Sequence, residues 1–220
     1  AGAVRTYVNR FGASPGKRVA IFTNNDDGWT TANDLHAAGV EITGIIDTRP
    51  DCQKTPPTGV PCVLGGHVVN SKGRLGLSSI LINNGTRIPA DCLAVSGGWS
   101  PNVHLTCHHR GRPIWNDVIA GFVPGGSLPD GMIVTGAASG IMGLASCLKD
   151  GIVAGQQVIH DLGGKPIKTK TPRANDEDFS IQPFWHVKDS INNAFVDFQH
   201  DVGVKDIKLA HREGFRSVEH

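Results

Sequence analysis

The sequence predicts an α/β fold on three observations. An apolar run, a polar turn, a helix-length stretch and a second apolar run follow one another over about 30 residues, the span of a βαβ unit. Further along, short alternating runs flank tight-turn signals, the pattern of antiparallel strands. Glycine supplies 28 of the 220 residues, close to twice the usual share of roughly 7%, with no Gly-X-Y period. Glycines in a globular chain go where the backbone turns with positive φ or a ligand comes close. The excess directs attention to a nucleotide site.

Taken in order, Ala1 to Phe11 reads as a helix with Val4 and Tyr7 or Val8 on one face, ended by Gly12 and the Ser14-Pro15-Gly16 turn. Arg18 to Thr23 is a short apolar run of the kind buried in a parallel sheet. The polar turn Asn24 to Gly28 leads to a helix predicted from Trp29 to Ala38, closed by Gly39, and Val40 to Asp47 reads as the second strand. The crossover between them is expected to be right-handed. Prolines and polar residues make Thr48 to Pro61 a loop. Gly66 to Asn70 and Ser78 to Asn83 read as antiparallel strands around Ser71-Lys72-Gly73, and Asn84-Gly85 is a tight-turn signal. Cys92 to Ser96 is a further strand, and a short one is expected at Ile114 in an otherwise loop-rich stretch. Met132 to Thr135 is predicted as a last buried strand and Ile141 to Leu162 as a helix. Lys165 to Asp178 has the composition of a linker, and a helical run is expected from Lys205 to His220.

Lysine plus arginine (21) against aspartate plus glutamate (20) leaves a net charge of +1, with no sustained basic run, which argues against nucleic acid or an anionic membrane as partner. Apolar stretches fall short of the ~18 residues of a spanning helix, and no signal segment opens the chain. A cytoplasmic protein is the expectation. The five cysteines, Cys52, Cys62, Cys92, Cys107 and Cys147, are scattered and odd in number, which fits free thiols in a reducing compartment. Both ends look cut, since the chain opens at Ala1 and closes at His220 inside a helical pattern. A piece of a longer protein is expected.

Two places could carry chemistry. The turn Thr23 to Gly28 occupies the position where a dinucleotide fold places G-x-G-x-x-G, because pyrophosphate must touch bare backbone at the helix N-terminus. Here two asparagines and two carboxylates stand instead, and Asp26 and Asp27 cap the helix but repel a phosphate. Asp47 sits at about the spacing of a ribose-binding acid. The turn reads as a remnant capped by its own side chains. The second place is the junction from Met132-Ile133-Val134-Thr135 into Gly136 to Gly143 and a long helix. Small residues before a helix start leave backbone N–H groups free for an anion. Tight packing of the helix on a sheet would use small residues equally well, with Ala145, Ser146, Gly151, Ala154 and Gly155 continuing them, and both readings stay open. Cys107-His108-His109 lacks a second ligand pair at zinc spacing and reads as surface loop, as His200 and His211 read as a solvated face. Gly97-Gly98-Trp99-Ser100 lacks the spacing of a nucleophile elbow.

The unit around Asn24 to Gly28, the phrase Ser96-Gly97-Gly98-Trp99-Ser100-Pro101-Asn102-Val103, the Gly136 to Gly143 turn, and the tail from Phe195-Val196-Asp197-Phe198-Gln199 to Arg212 through His220 together resemble the α subunit of heterotetrameric sarcosine oxidase. The resemblance covers nearly the whole chain; the tail and the S-G-G-W-S-P-N phrase are its specific parts. It implies a degenerate Rossmann-like nucleotide-binding domain with an antiparallel β-hairpin over 1–95, the returning half of a second, NAD-binding domain over 96–164, a linker over 165–194, and the start of a small helical module over 195–220. It further implies NAD contacts at Gly136, Ala137, Ala138, Met142 and Leu144. For the whole complex it implies FAD and covalently attached FMN in a β subunit, tetrahydrofolate on a domain after His220, γ and δ subunits, and a small N-methyl amine as substrate. The first G-x-G-x-x-G of that family lies upstream of Ala1. Related amine and opine dehydrogenases hold an iron–sulfur cluster near the Phe195 to Asp201 position, where Val196, Asp197, Phe198 and Gln199 cannot ligate one. No catalytic residue and no metal ligand is expected in this chain, which alone is expected to be inactive. A non-catalytic scaffold or subunit-contact module is the rival reading.

Overall fold

The computed structural model describes residues 1–126, 128–165, 167–177 and 179–217. Its centre is a parallel sheet of β1 (Arg18–Thr23), β2 (Glu41–Asp47), β3 (Cys62–Leu64) and β7 (Cys92–Ser96), in the order β3-β2-β1-β7. On one face lie helices α1 (Gly2–Phe11) and α2 (Asp26–Ala37). On the other lies an antiparallel sheet of β4 (Val68–Lys72), β5 (Ser79–Ile82) and β6 (Arg87–Pro89). Strand periodicity explains the three layers, since successive side chains of a strand point to opposite faces. Val19, Ile21, Ile42 and Ile45 thus meet Val4, Trp29, Ala32 and Leu35 in one buried cluster, while Ala20 and Ile46 meet Ile80, Ile82, Ile88 and Ala90 in a second. Each fully buried isoleucine or leucine contributes roughly 1.5–3 kcal/mol of transfer free energy, so a chain with two such clusters has no need of disulfides. All five cysteines are free.

The βαβ unit forms as the sequence predicts, with β1 and β2 parallel and paired from Arg18 with Glu41 to Thr23 with Asp47, the register shifting by one residue between Val19 and Ala20. Helix α2 starts three residues earlier than expected, at Asp26, because the Asn25 side chain accepts from the Asp27 N–H (3.0 Å) and caps it. Helix α1 ends where expected, on Gly12 in the left-handed region (φ 61). Tyr7 stands half-exposed, while Val8 packs toward the core.

Beyond β7 the expectations fare unevenly. A short 3-10 helix (His104–Arg110) precedes a hairpin of β8 (Ile114–Asn116) and β9 (Gly121–Val123), on which Trp115 meets Phe122 edge-on. Met132 to Thr135 is not a strand: it runs as irregular chain with partly exposed side chains, having no neighbouring strand among the described residues to pair with. Helix α3 (Leu144–Asp161) is three residues shorter at its start than the Ile141 to Leu162 expected, and none of its residues is buried. Tight packing of this helix on a sheet is therefore not what its small residues serve here, since a side chain added at Gly151 or Gly155 would meet open space. The tail forms a small antiparallel pair, β10 (Phe195–Asp197) and β11 (Val202–Gly203), leading into α4 (Val204–Arg212). The helical run expected to His220 ends at Arg212, followed by Gly214 with φ 95, and residues 218–220 lie outside the described residues.

Candidate functional site

In an open α/β sheet the natural ligand position is the crevice beyond the C-terminal ends of the strands, where neighbouring strands connect in opposite directions. Here that point lies between β1 and β7, at Thr23 and Ser96. The side chains of the β1–α2 turn close it. Buried Asn25 donates from Nδ2 to the Ser96 carbonyl (3.0 Å) and accepts from the Ser96 hydroxyl (3.0 Å), while the Thr23 hydroxyl donates to the Asn25 carbonyl (2.8 Å). Gly28 is required by this packing, because a Cβ there would run into the Thr23 side chain.

Asp47 stands at the ribose position but is fully buried and already engaged. It accepts from Trp29 Nε1 (2.7 Å), from the Arg49 backbone N–H (2.9 Å) and from Arg49 Nη2 (2.8 Å). Arg49 turns its other nitrogen to Asp26 Oδ1 (2.8 Å) and the Ser180 carbonyl (2.9 Å). Burial pulls the guanidinium down, but its bonds to Asp47 and Asp26 outweigh that and raise it. An acid whose oxygens are spent in this way is not available to hold a ribose. The expected remnant, a turn capped and occupied by its own side chains, is what the geometry shows. The Trp29 and Arg49 partners went unread in the sequence, although an arginine two residues after the strand-end acid was the available signal.

Residues 175–177 and 179–182 return to this region as a strap. The Ser180 carbonyl accepts from the Asp26 N–H (3.1 Å), the Ser180 N–H donates to Asp26 Oδ2 (3.1 Å), the Gln182 N–H donates to the Asn24 carbonyl (2.9 Å), and Ile181 bridges to Asn25. What remains open at the strand ends, between Thr23, Ser96, Gly97 and Phe184, is a cavity of about 70 Å³. A larger cavity of about 580 Å³ is bordered by Ser180 and Gln182 of the strap, Asp26, Arg49, Cys52 and Lys54.

At the second place, Gly136 to Ser139 form a 3-10 turn that needs glycine at both ends, with φ 62 at Gly136 and 94 at Gly140. Its donors, too, carry carboxylates of the chain. The Gly136 N–H donates to Asp150 (2.8 Å), and at the start of α3 the Ser146 N–H donates to Asp176 of the strap (3.0 Å), joined by the Ser146 hydroxyl. These Ser146 bonds hold the Asp176 carboxyl below the usual carboxylate range. A Cβ on Gly143 would collide with the same carboxylate. Of the five residues expected at NAD, Met142 and Leu144 line a cavity of about 180 Å³ together with Asp26, Asp27, Thr30, Glu177 and Phe179. Gly136, Ala137 and Ala138 form the turn beside it, with Ala137 exposed. The fold thus brings the two sequence-predicted places face to face, which nothing in the sequence announced. Burial, opposed by Arg5, and then the nearby Glu177 and Asp26 push the Asp27 carboxyl up.

Of the remaining candidates, Cys107 is exposed on the 3-10 helix, and the His109 side chain lies outside the described residues. His200 Nδ1 donates to Asp197 Oδ2 (2.8 Å), which with the Gln199 backbone N–H holds that carboxyl below its ordinary value. Among the described residues no group of three or more His, Cys, Asp or Glu side chains could hold a metal ion, and no helix is long and apolar enough to cross a membrane.

Comparison with known proteins bears on the whole chain. The family model for the sarcosine oxidase A3 domain matches residues 191–220. The sarcosine oxidase subunit alpha of Rhizobium meliloti (strain 1021) is 40% identical over 224 residues, taking in 100% of this chain and 23% of that protein. The subunit alpha of Corynebacterium sp. (strain U-96) is 31% identical over 242 residues, covering 100% of this chain and 25% of that protein. The chain therefore spans about a quarter of the length of these relatives. The crystal structure of L-proline dehydrogenase from P. horikoshii superposes with a TM-score of 0.61 at 14% identity, covering 96% of this chain and 40% of that one, a likeness of fold. From end to end, the chain is similar to a part of the sarcosine oxidase alpha subunits, with the A3 domain match at its C-terminal end.

Proposed function

We propose that this chain is the portion of a sarcosine oxidase alpha subunit that completes an NAD site and carries subunit contacts, within a flavoenzyme that oxidatively demethylates sarcosine. The observation that carries the NAD reading is the Gly136 to Leu144 junction. Its backbone donors already hold anionic oxygens, those of Asp150 and Asp176, so the turn and the first turn of α3 are fit to receive the oxygens of a pyrophosphate. Gly136, Ala137 and Ala138 would give backbone approach, and Met142 and Leu144 an apolar edge. NAD, when bound, supplies hydride-transfer chemistry; these residues position it and supply no acid or base of their own. The β1–α2 turn does not fit such a ligand, because its acid, its helix start and its strand ends are engaged within the chain.

In the intact enzyme the same reading assigns FAD and FMN to a β subunit, the one-carbon unit to tetrahydrofolate on a further domain, and γ and δ subunits to the assembly, in the cytoplasm. The domain limits 1–95, 96–164, 165–194 and 195–220 belong to this reading. The chain alone is expected to be catalytically silent. The engaged carboxylates also favour a second reading, a scaffold whose nucleotide sites have been lost.

Titration with NAD⁺ while following backbone amide shifts separates the two. Movement confined to Gly136 to Leu144, weakened by Gly136→Val, is expected for the site. No movement there at millimolar NAD⁺, for either the chain or its strap variants described below, would leave the scaffold.

A further inference from the structure

We propose that the strap of residues 175–177 and 179–182 is a built-in occupant of the strand-end crevice that holds the NAD site shut, so that the nucleotide enters only when the strap is displaced. The inference rests on the NAD reading above and adds its regulation.

Three observations carry it. First, the strap binds in the manner of a ligand at the switch point, through main-chain hydrogen bonds to Asn24 and Asp26 and a side-chain bond from Arg49 to the Ser180 carbonyl (2.9 Å). Second, the same segment reaches the other place, where Asp176 takes the Ser146 N–H and hydroxyl. One continuous piece of chain thus engages both predicted nucleotide positions. Third, the space left at the junction is too small. The cavity lined by Met142 and Leu144 holds about 180 Å³, against the ~300 Å³ at which small-molecule sites begin, and the cavity of about 580 Å³ bordered by Ser180 and Gln182 includes none of Gly136 to Leu144.

The strap also brings negative charge. Glu177 faces Asp26 and Asp27 across the 180 Å³ opening, where Thr30 donates to it (3.3 Å), while Asp176 sits on the Ser146 donors. Among the described residues, the cations near these acids include Arg49 and Lys54, both directed at Asp26, and, acting on Asp27, Arg5, engaged with Asp34 (2.8 Å), and the Ala1 ammonium. A pyrophosphate arriving with the strap closed meets carboxylates on the donors it requires. With the strap displaced, Asp176 releases the Ser146 amide and Glu177 leaves the opening.

A ligand that binds only an open state has its apparent Kd raised by the inverse of the open fraction. A strap closed nine times in ten therefore weakens NAD⁺ about tenfold.

The test compares the chain with two variants that loosen different ends of the strap. Asp176→Ala frees the α3 donors, and Ser180→Pro removes the N–H that binds Asp26 while leaving Asp176 in place. Asp161→Asn, at the far end of α3, is the control. The probes are NAD⁺ and inorganic pyrophosphate, both followed at the Ala145 and Ser146 amides. The expected result is NAD⁺ binding tightened about tenfold in both strap variants and unchanged in the control, with faster amide exchange at Ser146 before any ligand is added. Equal NAD⁺ affinity in all four proteins overturns the strap proposal and leaves the site standing. If NAD⁺ binds none of them, pyrophosphate decides: binding to the strap variants and not to the parent upholds the strap while removing NAD, and no difference overturns both.

Discussion

Replacing Arg49 by methionine is the sharpest test of what holds the βαβ unit closed. Arg49 pairs with two buried carboxylates, Asp47, whose side chain is fully buried, and Asp26, whose side chain is 8% exposed and which Lys54 also reaches. Methionine fills much of the volume but leaves Asp47 without a cation and Asp26 with Lys54 alone. Removing one partner of a buried pair costs roughly 3–5 kcal/mol, because the remaining charge stays buried. Asp47 keeps Trp29 Nε1 and a backbone N–H, and Asp26 keeps the Ser180 N–H and Lys54 at 3.6 Å, which places the expected loss at the lower end, about 3 kcal/mol. With a urea m-value of about 2–3 kcal/mol/M, the unfolding midpoint is expected to fall by about 1 M or more. The loss has a defined pH sense. Uncompensated buried acids have raised folded-state pKa values, so the deficit is full at neutral pH and shrinks as pH falls and the folded protein takes up protons more readily than the unfolded chain. The triple variant Asp26→Asn, Asp47→Asn, Arg49→Met, which has no charge to strand, is expected to recover most of the midpoint. A single variant within about 0.3 M of the parent at pH 7, where about 1 M is expected from the m-value, would refute the reasoning.

Two further outcomes follow from the charges and thiols. The Asp27 carboxyl is raised from 3.8, chiefly by burial, so folding favours its protonated form and the ionised form costs stability above the folded pKa; Asp27→Asn is expected to raise the urea midpoint at pH 7, with the gain fading as pH falls toward 4, and a gain that grows on acidification would contradict it. Among the cysteines Cys107 is exposed, whereas burial pushes the Cys62 thiol up to about 11; at pH 8 a thiol reagent followed by mass spectrometry is expected to label Cys107 first and Cys62 among the last, in proportion to thiolate and access.

The parallel sheet was legible because its strands are short apolar runs bounded by turn residues, and Arg18 to Thr23 and Cys92 to Ser96 could be delimited to the residue. Strands β3, β6 and β9 carry three residues each, too few for a period to show. Met132 to Thr135 misled for the opposite reason. Its composition is that of a buried strand, but a strand exists only with a neighbour to pair with, and local sequence does not supply one. Of the candidate site, the strand–helix junction and its small residues could be read locally. What fills it could not, since the contacts of Asp176 with Ser146 and of Ser180 with Asp26 span 30 and 154 residues. Side-chain chemistry at such separation follows from topology and leaves no pattern in a window of ten or twenty residues.

Helix α3, which buries none of its residues, draws little of its stability from tertiary packing. An 18-residue helix standing largely in water lies near the length at which isolated helices are marginal, and helix–coil exchange on that scale takes about a microsecond or less. Its amides are therefore expected to be among the first in the chain to exchange with solvent, far ahead of those in β1 and β2. The carboxylate of Asp176 then acts as a clamp on the folding equilibrium of the helix as well as an occupant of its first turn. Whatever displaces the strap must restore an anion there, or the helix that forms half the site will fray as the site opens.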